Sequence, residues 1–106
     1  MAGVKVYIAG PMTGIPEYNY PAFHAAAESL RDAGYEPLSP AQDYGEPRGS
    51  MPWEWYMRKA LALLLTADSV ALLPGYQQSR GARIEAELAW ALGMQVRRLS
   101  EWVSES

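Results

Sequence analysis

Four apolar segments that alternate with helical patterns constrain the fold of this chain more than any other feature of its sequence. Period and composition predict strands at residues 4–9, 35–38, 69–73 and 95–99. Amphipathic spacing predicts a first helix that Asn19 caps, Pro21 opens and Gly34 stops. It also predicts helices from Pro52 to Leu65 and from Ser79 to Leu92, with Gly93 as the stop signal of the last one. Because each connection is long enough for a helical crossover, the sequence predicts an α/β fold in which helices cover both faces of an open parallel sheet.

Composition narrows the classes of partner that the chain can have. The 106 residues fit one domain, residues 1–106, and their formal net charge of −3 gives no positive field to attract a nucleic acid polymer or an anionic membrane. Cysteine is absent, and the one histidine, His24, falls on a polar helix face where exposure to solvent is expected. No segment has the length of a signal peptide or a membrane span, so we expect a soluble, cytoplasmic protein that binds a small molecule.

Two loops that contain glycine are predicted to meet at one edge of the sheet. Residues 10–14 follow the first strand, and residues 74–81 follow the third. In an open parallel sheet, ligands bind beyond the carboxyl ends of the strands, where the strand order reverses. Both loops lead towards helix N-termini, which favour anions. We therefore expect a binding site between them, although a plain strand-ending turn explains the first loop equally well.

Glu85 is the strongest candidate for a catalytic side chain. Helical spacing places it on the mostly apolar face of the third helix, one turn after Gly81 and the N-cap residue Ser79. No cation lies four residues away on either side, so the carboxylate should face the sheet without a partner on its own helix. The alternative is an ordinary glutamate that is solvated or paired elsewhere. Asp68 precedes the third strand, at the opposite edge of the sheet, and is expected to cap a turn.

Aromatic residues crowd the start of the second helix, after a polar segment at residues 39–51 that is predicted to be a mobile lid. Trp53, Trp55 and Tyr56 stand there, and Tyr44 lies in the segment before them. Such a cluster most often belongs to a core or a subunit interface. The alternative is a surface at the mouth of the pocket on which a flat base stacks.

Three segments taken together resemble the nucleoside 2-deoxyribosyltransferase superfamily. They are residues 6–14, residues 19–23, and residues 79–85 with Ala89 after them. The chain is most similar to a small bacterial and phage branch of that superfamily. The resemblance implies a flavodoxin-like fold with four or five strands, and cleavage of the N-glycosidic bond of deoxynucleosides or their 5′-monophosphates. It also implies a homo-oligomer in which a neighbouring subunit completes the pocket.

The resemblance also assigns roles to individual residues. Glu85 matches the glutamate nucleophile, and no cofactor or metal is needed for its reaction. The expected substrate-binding residues are Tyr7, Gly10, Met12, Thr13, Asn19, Ser79, Arg80 and Gly81. Among them, Ser79 and Gly81 match the residues that hold a 5′-phosphate or 5′-hydroxyl. One position departs from the pattern, because relatives carry an aspartate that assists the leaving base where this chain has Ala60.

The sequence thus favours an enzyme that cleaves or transfers at the N-glycosidic bond of a nucleoside or nucleotide, with Glu85 as the nucleophile. A non-catalytic nucleotide-binding module is the alternative that Ala60 favours. A third alternative is an interaction protein that uses its aromatic helix as the functional surface.

Overall fold

A four-stranded parallel sheet forms the centre of the computed structural model, which describes residues 3–104. The strands are β1 (Lys5–Ala9), β2 (Glu36–Leu38), β3 (Ser69–Leu72) and β4 (Gln95–Arg98), in the order β2-β1-β3-β4. The helices are α1 (Tyr20–Asp32), α2 (Trp53–Leu64), α3 (Arg80–Ala91) and α4 (Leu99–Val103), and short 3₁₀ helices lie at Pro16–Asn19 and Tyr76–Gln78. The predicted parallel α/β fold is confirmed, with four strands.

Strand β1 divides the apolar core into two layers. Successive residues of a strand point to opposite faces of the sheet. Val6 and Ile8 accordingly pack with α1 and α4, while Tyr7 and Ala9 pack with α2 and α3. All four side chains are fully buried. Both faces of the sheet are therefore covered by helices, as the sequence predicts.

The carboxyl ends of β1 and β3 mark the place where the chain changes direction across the sheet. β1 pairs in parallel with β2 on one side and with β3 on the other, and β3 continues outward to β4. The loops that follow β1 and β3 therefore lead to opposite sides and leave a crevice between them. This is the edge at which the sequence places the ligand.

The C-terminal segment forms a helix that the sequence analysis does not predict. Trp102 of α4 is buried, its indole Nε1 donates a 2.9 Å hydrogen bond to the Val70 carbonyl, and its ring meets the edge of Tyr35 at 5.3 Å. Five residues are too few to show a helical period, and tertiary packing of one large side chain stabilises the segment.

Asn19 also differs from its expected role as the helix cap. It occupies the N-cap position of α1, but its backbone is left-handed at φ 61° and its side chain makes no capping bond. The amide Nδ2 donates instead to the Pro11 carbonyl at 3.0 Å. Its contact therefore braces the loop after β1 rather than the helix.

Candidate functional site

A cavity of about 650 Å³ lies at the crevice between the loops that follow β1 and β3. Its walls come from these two loops, from α2 and α3, and from residues 39–51. The sequence-predicted residues that line it are Gly10, Met12, Thr13, Ser79, Arg80, Gly81 and Glu85. Tyr7 lies beneath Glu85, and Asn19 reaches the site only through Pro11. The structure therefore brings both predicted loops and the predicted acid into one cavity.

Glu85 lies in this cavity as a buried acid with an aromatic partner. Its side chain is 5% exposed, and its carboxylate accepts a 2.8 Å hydrogen bond from the Tyr7 hydroxyl. Within residues 3–104, no lysine or arginine forms an ion pair with it. Burial raises the pKa of Glu85 to about 8, and the bond from Tyr7 opposes part of that rise. The ionised carboxylate is thus poorly solvated and held in one orientation.

Tyr7 is suited to the role of a fixed donor beneath Glu85. Its side chain is fully buried on β1. Burial, followed by the nearby charge of Glu85, raises the pKa of Tyr7 well above its ordinary value. The phenol therefore keeps its proton at physiological pH and can donate to the carboxylate throughout its titration.

The N-terminus of α3 forms one end of the cavity. The Ser79 hydroxyl accepts a 3.2 Å hydrogen bond from the Ala82 amide, which confirms the predicted N-cap. Arg80 stacks over the Trp53 ring at 4.4 Å, and a Cβ at Gly81 would lie 3.3 Å from the Met57 sulfur. The Arg80 charge and the positive end of the α3 dipole therefore lie at this end of the cavity.

Close packing at the strand ends explains the glycine that follows β1. A Cβ on Gly10 would lie 2.8 Å from Leu73 Cβ, a distance that side chains do not tolerate. Glycine at this position lets the ends of β1 and β3 approach each other. The requirement for glycine therefore comes from the packing of the protein itself.

Three consecutive residues before α1 adopt left-handed backbone. Glu17, Tyr18 and Asn19 have φ values of 55°, 53° and 61°. This conformation costs roughly 1–2 kcal/mol for each non-glycine residue. The turn places Tyr18 on the wall of the cavity, and the Asn19 side chain holds it through Pro11. Strain of this kind concentrates at functional sites.

The covering segment, residues 39–51, is the predicted lid, and it places an arginine among tyrosines on the wall of the cavity. The Arg48 guanidinium lies 4.5 Å from the Tyr56 ring centre and 5.2–5.9 Å from those of Tyr18, Tyr20 and Tyr44. Its Nη2 donates to the Met12 sulfur at 3.3 Å and to the Pro40 carbonyl at 3.2 Å. Sequence reasoning missed Arg48, because an arginine in a polar loop carries no sign of tertiary burial.

The aromatic cluster at the start of α2 divides between two surfaces. Trp53, Tyr56 and Tyr44 line the cavity. Trp55 contacts Tyr44 and Tyr56 at its edge and carries the Lys59 ammonium 4.9 Å above its ring. Three of the four rings thus stand where a planar ligand can stack, and a subunit interface at Trp55 remains a prediction.

Three further residues occupy the places that their sequence positions predict. Ala60 is buried and lines the cavity, so α2 offers no acid there. Asp68 accepts a 2.9 Å hydrogen bond from the Lys5 amide at the opposite edge of the sheet, so it braces the start of β1 and not the turn that it was expected to cap. His24 is exposed on α1 against the edge of the Tyr20 ring at 5.8 Å.

A cluster of metal-ligating side chains and a membrane-spanning helix are both absent from the described part of the chain. Residues 3–104 contain no group of three histidine, cysteine, aspartate or glutamate side chains that could hold a metal ion. None of the helices in this range is long and apolar enough to cross a membrane.

Comparison with known proteins relates this geometry to one family and one fold. Residues 4–98 match the family described as Domain of unknown function (DUF4406). No curated protein matches the sequence.

Solved structures supply the relation to a fold. A 2-deoxyribosyltransferase from Bacillus psychrosaccharolyticus matches with a TM-score of 0.66 and 23% identity, over 87% of this chain and 69% of the other. A 2-deoxyribosyltransferase from Leishmania mexicana matches with a TM-score of 0.67 and 17% identity, over 89% of this chain. This chain covers 62% of the Leishmania protein, less than two thirds of its length. The resemblance noted in the sequence is confirmed at the level of the fold.

Proposed function

The chain belongs to the family Domain of unknown function (DUF4406), and we propose that it cleaves or transfers the N-glycosidic bond of a nucleoside 5′-monophosphate with Glu85 as the nucleophile. The single observation that carries the proposal is a buried, unpaired carboxylate oriented by Tyr7 inside a cavity of nucleotide size. The fold shared with two 2-deoxyribosyltransferases supports the same reaction class.

The two ends of the cavity orient a nucleotide in the proposed complex. The 5′-phosphate binds at the N-terminus of α3, where Ser79, the amide of Gly81 and the Arg80 guanidinium supply donors and charge. The sugar lies over Glu85. The base extends towards Tyr44 and Tyr56, whose rings line the cavity and offer faces for stacking.

The first chemical step forms a bond between the Glu85 carboxylate and the anomeric carbon. The C1′–N bond breaks with this attack, and its electron pair leaves with the base. Because the carboxylate is the reactive form, a pKa of about 8 makes the step faster as pH rises towards that value. Developing positive charge on the sugar is stabilised by the same carboxylate at short range.

The second step resolves the glycosyl ester and regenerates the enzyme. Water attacks C1′, the ester bond to Glu85 breaks, and the carboxylate is released in its ionised form. The proton from the water passes to the departed base, which balances the reaction. When a second base attacks C1′ in place of water, the ester bond to Glu85 breaks in the same way, and the proton from the attacking nitrogen passes to the first base.

Release of free base from deoxynucleoside 5′-monophosphates tests this function. The protein is incubated with the four monophosphates near pH 8, and free base is measured by chromatography. We expect release from at least one of them, and a loss of at least a thousandfold in Glu85→Gln, which keeps the shape of the side chain. Glu87→Gln is the matched control, because Glu87 is exposed on the same helix. Release by Glu85→Gln at the wild-type rate contradicts the proposal.

One observation favours a second candidate, a non-catalytic module that binds a nucleotide in the same cavity. Ala60 lines the cavity without supplying an acid for the leaving base. The module would bind the monophosphates and release no base with any of them. The incubation above separates the two functions when it is paired with measurements of binding.

A further inference from the structure

Arg48 lies in the cavity with hydrogen-bonding capacity that the protein leaves unused. Its Nε is buried and has no hydrogen-bond partner among the described residues. The adjacent Nη2 donates one of its hydrogen bonds to the Met12 sulfur, which is a weak acceptor. A buried N–H without a partner is unfavourable. A ligand that offers acceptors to these donors would remove that cost.

Four tyrosine rings surround the Arg48 guanidinium on the wall of the cavity. Tyr56 and Tyr44 face it together with Tyr18 and Tyr20, and Nη2 is tied to the Pro40 carbonyl at 3.2 Å. Two parallel donors, Nε–H and Nη2–H, lie on one side of a guanidinium in a fixed geometry. The Met12 side chain is unbranched and flexible, so an incoming group can displace its sulfur. Arg48 is thus prepared to bind a pair of adjacent acceptors.

Arg48 and the end of the cavity that suits a phosphate have different neighbours. Ser79, Arg80 and Gly81 stand at the N-terminus of α3 beside Trp53 and Met57. Arg48 contacts Met12 of the β1 loop and residues of the covering segment instead. A nucleotide whose phosphate binds at α3 and whose sugar covers Glu85 therefore directs its base towards Arg48.

We propose that Arg48 selects 6-oxopurine bases, guanine or hypoxanthine, by donating to O6 and N7; this inference rests on the proposed function for the orientation of the nucleotide. Arginine pairs with these two acceptors more often than with any other base edge. Adenine presents an amino group in place of O6, which opposes the guanidinium. The flat base stacks against Tyr44 and Tyr56, which line the same cavity.

The same contact serves the bond-breaking step. When C1′–N9 breaks, its electron pair delocalises over the purine onto N7 and O6, where the fixed positive charge of Arg48 stabilises it. This stabilisation moves no proton, so the departing base takes its proton from water. The guanidinium therefore compensates in part for the acid that Ala60 cannot supply.

Equilibrium binding measures this selectivity apart from turnover. dGMP, dIMP, dAMP and dCMP are titrated into Glu85→Gln protein, which does not consume them in the proposed mechanism. We expect dGMP and dIMP to bind roughly 5- to 150-fold more tightly than dAMP, the range that one bidentate base contact gives. In the Glu85→Gln protein, the further substitution Arg48→Met should abolish the difference in affinity between dGMP and dAMP. Arg48→Lys in its place should retain only a fraction of that difference.

Two matched variants show that the effect belongs to Arg48. Arg31→Met removes an exposed arginine from α1 and should leave the order of affinities unchanged. Arg80→Met should weaken all four monophosphates together, because it acts on the phosphate. Thermal unfolding of each variant identifies any loss of folding, and Arg48→Lys provides a second variant should Arg48→Met unfold.

The outcomes distinguish this inference from the proposed function. Equal affinities, a preference that survives Arg48→Met, or a preference for dCMP would overturn the role of Arg48. Equal weakening of all four ligands and of inorganic phosphate by Arg48→Met would also overturn it, since Arg48 would then be a phosphate ligand. If wild-type protein releases no base but shows the 6-oxopurine preference, the proposed catalysis fails and the selectivity of Arg48 stands.

Discussion

The Tyr7 hydroxyl donates a 2.8 Å hydrogen bond to the Glu85 carboxylate across 78 residues of sequence. The bond joins the middle of β1 to the buried face of α3, directly below the cavity. It opposes the rise in the pKa of Glu85 that burial causes. The balance between burial and this one bond determines the pH at which the acid becomes a nucleophile.

Stability should depend on pH through Glu85. Its pKa is about 8 in the folded protein and near 4.5 when unfolded, so the folded state binds the additional proton between these values. The free energy of unfolding therefore decreases as pH rises, by up to about 1.4 kcal/mol per pH unit. Glu85→Gln removes this dependence, and its melting temperature should exceed that of the wild type by a margin that grows from pH 5 to pH 8. An equal margin at both pH values, or the same trend in the exposed control Glu87→Gln, contradicts this account.

Tyr7→Phe should move the pH profile of base release to higher pH. Loss of the phenol removes the one hydrogen bond that lowers the pKa of Glu85, so a smaller fraction of the acid is ionised at a given pH. Loss of the buried bond should also lower the free energy of unfolding by about 1 kcal/mol. The profile of the rate against pH measures the shift. A purely structural role for Tyr7 predicts a lower rate with an unchanged profile.

Ser79→Asp should separate the capping role of Ser79 from phosphate binding. Aspartate caps a helix about as well as serine, so the melting temperature should change little. Its negative charge repels a 5′-phosphate, and the affinity for monophosphates should decrease at least tenfold while nucleosides bind as before. Ser79→Ala is the comparison, because it loses the cap at a cost of roughly 1 kcal/mol. If Ser79→Asp bound monophosphates with unchanged affinity, the phosphate would not bind at the N-terminus of α3.

Gly10→Ala should destabilise the protein more than Gly81→Ala does. The new Cβ at Gly10 would lie 2.8 Å from Leu73 Cβ, which is fixed to the backbone, whereas the Cβ at Gly81 would meet the flexible Met57 sulfur at 3.3 Å. Overpacking of this kind costs typically about 1–3 kcal/mol. Denaturant unfolding compares the two variants. A smaller loss in Gly10→Ala than in Gly81→Ala would show that the strand ends are not packed as described.

Ala60→Asp should accelerate base release at the cost of stability. The side chain at this position lines the cavity, so a carboxylic acid there can reach the leaving base. General acid catalysis contributes typically about 10²–10⁴-fold, and part of that range is expected in the rate. Ala62→Asp is the control, because Ala62 is exposed on the same helix. If neither variant changes the rate, the acid is not the missing part of this site.

The fold could be predicted because its signals are local. Each signal is visible within a few residues: the short apolar strands, Ser79 as a cap, and Gly34 and Gly93 as stop signals. The parallel pairing of the strands follows from connections that are long enough for helical crossovers. The position of Glu85 could be predicted for the same reason, since helical spacing gives its face. Helix α4 could not, because the burial of Trp102 depends on Val70 and Tyr35, which are distant in sequence.

The covering segment shows where sequence reasoning reaches its limit. The tyrosines around Arg48 lie just before α1, at its first residue, in the covering segment and in α2, and no periodicity relates their positions. Asn19 shows the same limit, because its backbone is left-handed and its side chain donates to the Pro11 carbonyl, a contact that the local sequence does not indicate. The bond from Tyr7 to Glu85 likewise needs the three-dimensional structure.

The proposed mechanism requires a covalent bond between Glu85 and the sugar, and mass spectrometry of protein quenched during turnover detects that intermediate. After rapid acid quenching in the presence of a deoxynucleoside 5′-monophosphate, digestion with trypsin should yield the peptide of residues 84–97 with the added mass of one 2-deoxyribosyl 5-phosphate group. Fragmentation should locate that mass on Glu85, and Glu85→Gln should show none. Base release without any adduct on this peptide, or an adduct on Glu87 instead, would contradict the account.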